Sequence, residues 1–335
     1  MLFVWGQFAV CLCVIWVAGA RVSRYGDILA EKTGLGRTWI GVIMLATVTS
    51  LPELATGVSA VTLAQAPDIA LGDALGSCVF NLTIVTLLDF LQREESVFTR
   101  ADQGHILSAG FGVILIGLVG FSLSLQRTWP GMSIGHIGLS TPIILLLYVV
   151  AMRTVFRYER RQRAAAIEEA AERYPGITLR RAAVGYSASA LVVVATGMLL
   201  PFVGERLAAI MGWQETFVGT LFVAFATSMP EVVVTIAALR LGALDLAMSN
   251  LLGSNLFDVA VIAIDDLCFV RGPLLAHVAP MHTVSSLSAL MMTGVTIVGL
   301  LYRPASRLFR AVGWSSLLLF ALYLLNTYVL YLYSG

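Results

Sequence analysis

Residues 46–56 read "ATVTSLPELAT" and residues 224–235 read "AFATSMPEVVVT". Each places Thr-Ser-x-Pro-Glu inside an otherwise apolar run. A proline removes a helical N–H, and a carboxylate resists burial in a hydrophobic setting, so one such insertion reads as an interruption. Two of them in matching context read as a repeated functional element.

The surrounding chain says where that element lies. Of its 335 residues 58% are hydrophobic and 12% charged, and the mean hydropathy is +0.87. A soluble domain carries about 25% charged residues, so the composition is that of a polytopic membrane protein. Apolar runs of spanning length fall near 2–20, 38–63, 68–91, 104–123, 136–152, 183–203, 216–239, 246–268, 283–302 and 312–333, which predicts ten helices. Ala18-Gly19-Ala20 imitates a signal-peptide cleavage site. No basic stretch precedes it and the run is long enough to span, so residues 1–20 read as a retained first helix.

With the N-terminus placed outside, the inward-facing segments carry eighteen of the 21 Lys and Arg residues, and the outward ones only Arg127, Arg206 and Arg271. This positive-inside bias predicts that both termini face outward. Residues 153–182, containing "ERRQRAAAIEEAAERY", form a charged cytoplasmic connector between halves 1–152 and 183–335. The preference for Arg over Lys and the short connector suggest a prokaryotic inner membrane. Cys11, Cys13, Cys78 and Cys268 form no CxxC and read as small apolar residues rather than metal or redox groups. No HExxH, GxSG or GxGD occurs, which argues against an intramembrane enzyme.

A shift of 178 residues aligns Gly41 with Gly219, Ala46 with Ala224, Thr49 with Thr227, Ser50 with Ser228, Pro52 with Pro230 and Glu53 with Glu231. A shift of 177 then aligns Gly76, Ser77, Phe80 and Asn81 with Gly253, Ser254, Phe257 and Asp258. Each half holds five helices. Five is odd, so the halves enter the membrane with opposite polarity, an architecture of secondary transporters whose site lies near the midplane.

Ala46, Thr49, Ser50 and Glu53 share one helix face by their i, i+3, i+4, i+7 spacing, as do Ala224, Thr227, Ser228 and Glu231. Ser77 with Asn81, and Ser254 with Asp258, are i, i+4 pairs. Pro52 cannot donate to the carbonyl of Val48, nor Pro230 to that of Ala226, so carbonyls are freed beside each glutamate. Carboxylate, hydroxyl, amide and carbonyl oxygens together suit a hard cation; Ca²⁺ takes about six to eight. His105, His136, His277 and His282 are scattered near helix ends, so the soft-metal alternative lacks ligands.

A lone buried carboxylate can be a structural hydrogen-bond partner, and Ser and Thr often pack between helices. The duplication, and a burial cost of about 2.5–3.5 kcal/mol per charge on insertion scales, favour function for Glu53 and Glu231. Asp73 and Asn250, one turn before Ser77 and Ser254, extend the site or mark a vestibule. Asp89, Asp265 and Asp266 read as solvated caps at helix ends. The Gly76-Ser77 and Gly253-Ser254 pairs read as points of close helix approach.

These residues resemble the two α-repeats of the sodium/calcium exchanger family. The pattern appears as "GVIMLATVTSLPE" (41–53) with "GDALGSCVFN" (72–81), then "GTLFVAFATSMPE" (219–231) with "SNLLGSNLFD" (249–258). The resemblance implies an all-α membrane protein of two inverted five-helix repeats that exchanges Ca²⁺ for Na⁺ without a bound cofactor. It implies cation ligands at Glu53, Glu231, Thr49, Ser50, Thr227, Ser228, Ser77, Asn81, Ser254 and Asp258, and carbonyl ligands at Ala46 and Ala224. Val48 and Ala226 depart from the family's glycine before Thr-Ser, and Asp73 and Cys78 from two asparagines. The Ser/Thr set favours sodium as the coupling ion; proton coupling on the same scaffold and a cation channel are the alternatives.

Overall fold

The computed structural model describes residues 1–33, 49–92, 95–128, 133–163, 174, 176–240, 242–304, 307–308 and 312–333. The chain forms α1 (Leu2–Thr33), α2 (Leu51–Ser59), α3 (Pro67–Leu91), α4 (His105–Thr128) and α5 (Ser140–Arg163). It continues as α6 (Leu179–Gly197), α7 (Leu200–Met211), α8 (Ala224–Thr227), α9 (Met229–Arg240), α10 (Leu244–Cys268), α11 (His282–Tyr302) and α12 (Trp314–Leu332). Two antiparallel two-residue ribbons precede the last helix of each half: β1 (Ser133–Ile134) with β2 (Ile137–Gly138), and β3 (Arg307–Leu308) with β4 (Val312–Gly313).

Among the described residues eight spans are long and apolar enough to cross a membrane, and a ninth if Glu215–Thr227 and Met229–Arg240, bent by 45°, count as one. The remaining expected span, 38–63, falls partly outside the described residues; its described part, 49–63, contains most of the shorter apolar helix Leu51–Ala64. The protein is thus a multi-pass membrane protein. Several helices outrun their apolar stretches. α1 continues past residue 20 to Thr33, because Arg21, Arg24 and Lys32 end the hydrophobic run without breaking the helix. The expected 183–203 span lies within the single span Leu179–Met211, whose helix is interrupted at Met198–Leu199 just before Pro201 to give α6 and α7.

Inverted repetition is visible in which helices touch. α3 packs on α10, α4 on α11 and α1 on α6. Further contacts come in exchanged pairs: α2 with α6 and α1 with α9, α5 with α10 and α3 with α12, α4 with α10 and α3 with α11. The central pair is buried over 67% (α3) and 89% (α10) of its most apolar window, against 22% for both α5 and α12, so the latter face lipid. Leu82, Leu115, Leu252, Val259 and Met292 are among the side chains filling the core between α3, α4, α10 and α11. A second apolar cluster, with Ile15, Ile69, Leu200 and Val223, joins α1 and α7 to the centre.

Close approach is set by small residues. A Cβ on Gly19 would lie 2.5 Å from Pro230 Cγ, and one on its counterpart Gly197 would lie 3.1 Å from the Pro52 carbonyl oxygen. Each half's first helix is therefore seated on the other half's Thr-Ser-x-Pro-Glu helix. The α6–α7 break frees two carbonyls, and α2 caps both: Thr56 Oγ1 donates to Gly197 O at 3.1 Å and Ser59 Oγ to Met198 O at 2.7 Å. Gly76 lies against the π-helical turn Gly219–Val223, where a Cβ would meet Thr220 O at 2.3 Å, as expected for a point of close packing.

Polar groups at the helix ends repeat as well, and here the structure corrects the sequence reading. Asp89 and Asp266 are buried rather than solvated. Asp89 accepts from Ser96 Oγ and Val97 N in its own half (2.9 Å each), and from Gly313 N (2.7 Å) and Ser316 Oγ (2.8 Å) in the other. Asp266 accepts from Leu274 N at 2.6 Å in its own half, and from Gly138 N at 2.9 Å and Thr141 Oγ1 in the other. Each carboxylate thus ties the loop after its helix to the start of the opposite half's last helix. Hydrophobic alternation stops at these aspartates, which is why they resembled exposed ends.

The histidines also form a matched set. Asp68 accepts from Ala279 N at 2.6 Å and lies 2.9 Å from His282 Nε2. Asp245 accepts from Asp102 N at 2.8 Å and lies 3.1 Å from His105 Nε2. These two His–Asp contacts occupy equivalent places in the two halves.

Candidate functional site

The Thr-Ser steps interrupt their helices in the same way. Ser50 has φ −91° and ψ 17°, and Ser228 φ −79° and ψ 9°. Both lie in the sparsely populated bridge region just before the proline helices begin. The following turn restarts with Leu54 N to Ser50 O at 3.2 Å and Val232 N to Ser228 O at 3.3 Å. Each glutamate therefore stands in the first turn of a new helix that begins inside the membrane region, where the macrodipole favours negative charge.

The two repeats then cross. Ser50 Oγ donates to Glu231 Oε1 at 3.1 Å, and Ser228 Oγ donates to Glu53 Oε1 at 3.3 Å. Thr227 Oγ1 donates to Asp73 Oδ1 at 2.8 Å, while Thr49 Oγ1 donates to Asn250 Oδ1 at 3.4 Å. Ser254 Oγ donates to Glu231 Oε1 at 3.2 Å, and Ser228 Oγ also lies 3.0 Å from Ser77 Oγ. Every one of these side chains is buried. Ser50, Ser228 and Thr227 thus each hold an acid of the other half, while Glu231 also accepts from Ser254 of its own.

The second oxygens of the acids are left over. Among the described residues Glu53 Oε2, Glu231 Oε2, Asp73 Oδ2, Asp258 Oδ1 and Asn81 Oδ1 are buried without a hydrogen-bond partner. Unmatched buried acceptors are costly, and several around one centre are the mark of a site that takes a positive charge. No three His, Cys, Asp or Glu side chains among the described residues converge on a single point by themselves. Hydroxyls lie between the carboxylates, so a cation here would need both kinds of oxygen.

Of the sequence-predicted residues, Glu53, Glu231, Asp258, Asn81, Thr49, Ser50, Thr227, Ser228, Ser77 and Ser254 are gathered between α2, α3, α9 and α10, and Asp73 and Asn250 join them through the threonines. Ala224 is buried, and its carbonyl accepts from Ser228 N at 3.0 Å and from Thr227 Oγ1 at 3.2 Å. That oxygen is engaged within its own turn rather than freed. Ala46 and Val48 lie outside the described residues.

Asn255 was not anticipated. Its Oδ1 accepts from Asn81 Nδ2 at 3.1 Å and its Nδ2 donates to Cys78 O at 3.2 Å, so it fixes the orientation of the Asn81 amide across the α3–α10 contact. Its register partner is Cys78, and a search for matched residues in the two repeats passes over such an unlike pair.

The reciprocal serines give equivalent expectations. Ser50→Ala and Ser228→Ala each remove one hydroxyl from a buried carboxylate, a loss of about 1 kcal/mol or roughly fivefold in affinity for a cation held there. Cation binding by isothermal titration should show similar losses for the two variants. A loss confined to one of them would mean that the crossing is not reciprocal.

The sodium/calcium exchanger protein family matches residues 3–157 and 182–331. An uncharacterised membrane protein of Methanocaldococcus jannaschii is 26% identical over 328 residues, covering 96% of this chain and 95% of that protein. Sodium/calcium exchanger MaX1 of Methanosarcina acetivorans is 25% identical over 263 residues, covering 70% and 74% of the two chains. The fold is similar to that of native YfkE (TM-score 0.67, 18% identity, 97% of this chain and 92% of that one). It is also similar to the sodium-calcium exchanger NCX_Mj soaked with Na⁺ and Ca²⁺ (TM-score 0.60, 20% identity, 97% of each chain). With both halves matched, the chain is a member of the sodium/calcium exchanger protein family.

Proposed function

We propose that the protein is a secondary antiporter that exchanges Ca²⁺ for Na⁺, with both ions competing for the oxygens between α2, α3, α9 and α10. The observation that carries this reading is the crossed pair Ser50–Glu231 and Ser228–Glu53, with the second oxygen of each glutamate unmatched. Glu53, Glu231 and Asp258 supply charge. Thr49, Ser50, Thr227, Ser228, Ser77, Asn81 and Ser254 supply neutral oxygens, with the carbonyl of Ala46 added to the set and that of Ala224 held within its own turn. Asp73 and Asn250 lie beyond the threonines and form the approach to it.

Three buried acids cannot all stay charged and unpaired. One Ca²⁺ or several Na⁺ neutralise them, and the two loads exclude each other. A loaded site is less costly to carry through an occluded state than an empty charged one, which couples the opposing fluxes. Alternating access arises from one group of helices shifting against the rest. The membrane is a prokaryotic inner membrane, with both termini outside and 153–182 as the cytoplasmic connector between the halves.

The test is ⁴⁵Ca²⁺ uptake into proteoliposomes. An outward sodium gradient should drive uptake, and dissipating it with a sodium ionophore should stop it. Uptake driven by a pH gradient but indifferent to sodium would replace sodium with protons as the coupling ion. Single-channel currents with no gradient-driven accumulation would make the protein a channel.

A further inference from the structure

Asp265 is the carboxylate that the crossed site does not use. It lies seven residues beyond Asp258 on α10, on the same helical face and about two turns away. It is fully buried, and neither carboxylate oxygen has a hydrogen-bond partner among the described residues. This overturns its reading as a solvated cap, for a reason visible across the α2–α10 seam. Gly57, one turn beyond Glu53, packs directly on it: a Cβ at residue 57 would lie 2.3 Å from Asp265 Oδ2 and 2.7 Å from Oδ1.

The same seam continues into an apolar cluster of Ala60, Val61 and Phe269, with Cys268 against it. In the register of the repeats, Asp265 corresponds to Leu88 and Gly57 to Thr235. The acid and the space that receives it therefore occur together in one seam and are both missing from the other. This pair is specific to one side of the molecule and is no part of the duplicated site.

Among the described residues, the groups around Asp265 offer it no positive charge. Asp73 on α3 and Asp266 beside it are the acids within electrostatic range, and Cys268 senses it from one turn on. Asp266 is turned to Gly138, Thr141 and Leu274. Glu53 on α2 is held by Ser228, and Tyr148 on α5 lies toward Asp258. His136, beside β2, lies 3.2 Å from Leu267 O, and His277 lies 2.9 Å from Pro273 O, both engaged with backbone. An unpaired buried carboxylate costs several kcal/mol. Ca²⁺ needs about six to eight oxygens, whereas here the carboxyl faces a glycine and hydrocarbon. A proton is the one cation that needs no further ligand.

We propose that Asp265 is a proton-binding site in the α2–α10 seam, loaded while Gly57 packs against it and unloaded when the seam opens to water. On unloading, the O–H bond breaks, its electron pair stays on the carboxylate, and the proton passes to water on the side to which the seam opens. Reclosure takes a proton back from that side. Ion exchange then carries a pH dependence of its own: acid holds the packed state, and alkali favours the opened one. Only the opening step rests on the exchanger reading; occupancy by a proton does not.

The first measurement is therefore independent of transport. Infrared spectra of purified wild type minus Asp265→Asn should contain the carbonyl stretch of a protonated carboxylic acid, shifted on transfer to D₂O. Gly57→Ala, which pushes a methyl into the carboxyl, should displace that band. The second measurement is sodium-driven Ca²⁺ flux from about pH 6 to about pH 9. The fold-change in flux across this range should be about tenfold smaller in Asp265→Asn, which stays neutral and isosteric, than in wild type. A difference spectrum without the acid band overturns proton occupancy whatever the transport result. Coincident pH profiles overturn the coupling to exchange.

Discussion

Glu53→Gln and Glu231→Gln are each expected to abolish sodium-driven calcium uptake. Both side chains are buried, each bonded through one oxygen to the opposite repeat's serine and presenting the other oxygen unmatched. Glutamine keeps the shape, and its carbonyl oxygen still accepts from the serine, so the helices have no cause to separate. What is lost is one negative charge facing a divalent ion in a low-dielectric setting. Removing one partner of a buried charge pair costs about 3–5 kcal/mol, on the order of a hundredfold or more in affinity. The two variants should be equally impaired, because each glutamate occupies the same place in its half. Purified variants of wild-type thermal stability but without calcium binding would match this expectation. Uptake at wild-type rate in either variant would remove the glutamates from the cation site.

The second large effect is on folding. Asp266→Ala should leave Gly138 N, Leu274 N and the Thr141 hydroxyl unpaired at a buried junction. Buried donors left unmatched cost about 1–3 kcal/mol each, so a loss of about 3 kcal/mol or more is expected. Asp89→Ala should behave alike, since Val97 N, Gly313 N and two serine hydroxyls depend on it. The inverted halves put these junctions at opposite membrane faces, so the double variant should lose close to the sum. Melting of the detergent-solubilised protein gives the readout, with the Asn variants intermediate because they keep one acceptor. Unchanged melting of Asp266→Ala would show that the junction is held by packing alone.

Much of this site was legible in the sequence because its parts are duplicated. Thr-Ser-x-Pro-Glu recurs with its following Gly-Ser pair, and the odd number of helices in each half dictates inversion. The sequence could not say which oxygen meets which. Ser50 and Glu53 lie on one helix face, yet the serine serves Glu231 of the other half. That exchange follows from how α1 and α6 seat the two broken helices, through Gly19 and Gly197 against the facing prolines.

The buried aspartates were misread for a related reason. Asp89, Asp265 and Asp266 stand where apolar runs end, and hydropathy cannot distinguish an end in water from an end folded under the opposite half. Asn255 was missed because its register partner is a cysteine. In both cases the missing information was a contact between halves, which the local pattern of one half does not contain.

The two halves match in their His–Asp contacts and in their buried aspartate junctions, and this carries an energetic consequence. Exchanging identical inverted halves would turn an outward-facing molecule into an inward-facing one of the same free energy. Such a molecule, with the same solution on both sides, would have no resting direction. Whatever bias this protein has must therefore reside where its halves disagree. In the polar interior those places are Asp258 against Asn81, Asp73 against Asn250, Asn255 against Cys78, and the lone Asp265 against Leu88. On the exchanger reading, these mismatches, together with the α6–α7 break that α1 lacks, are where a resting direction would have to originate.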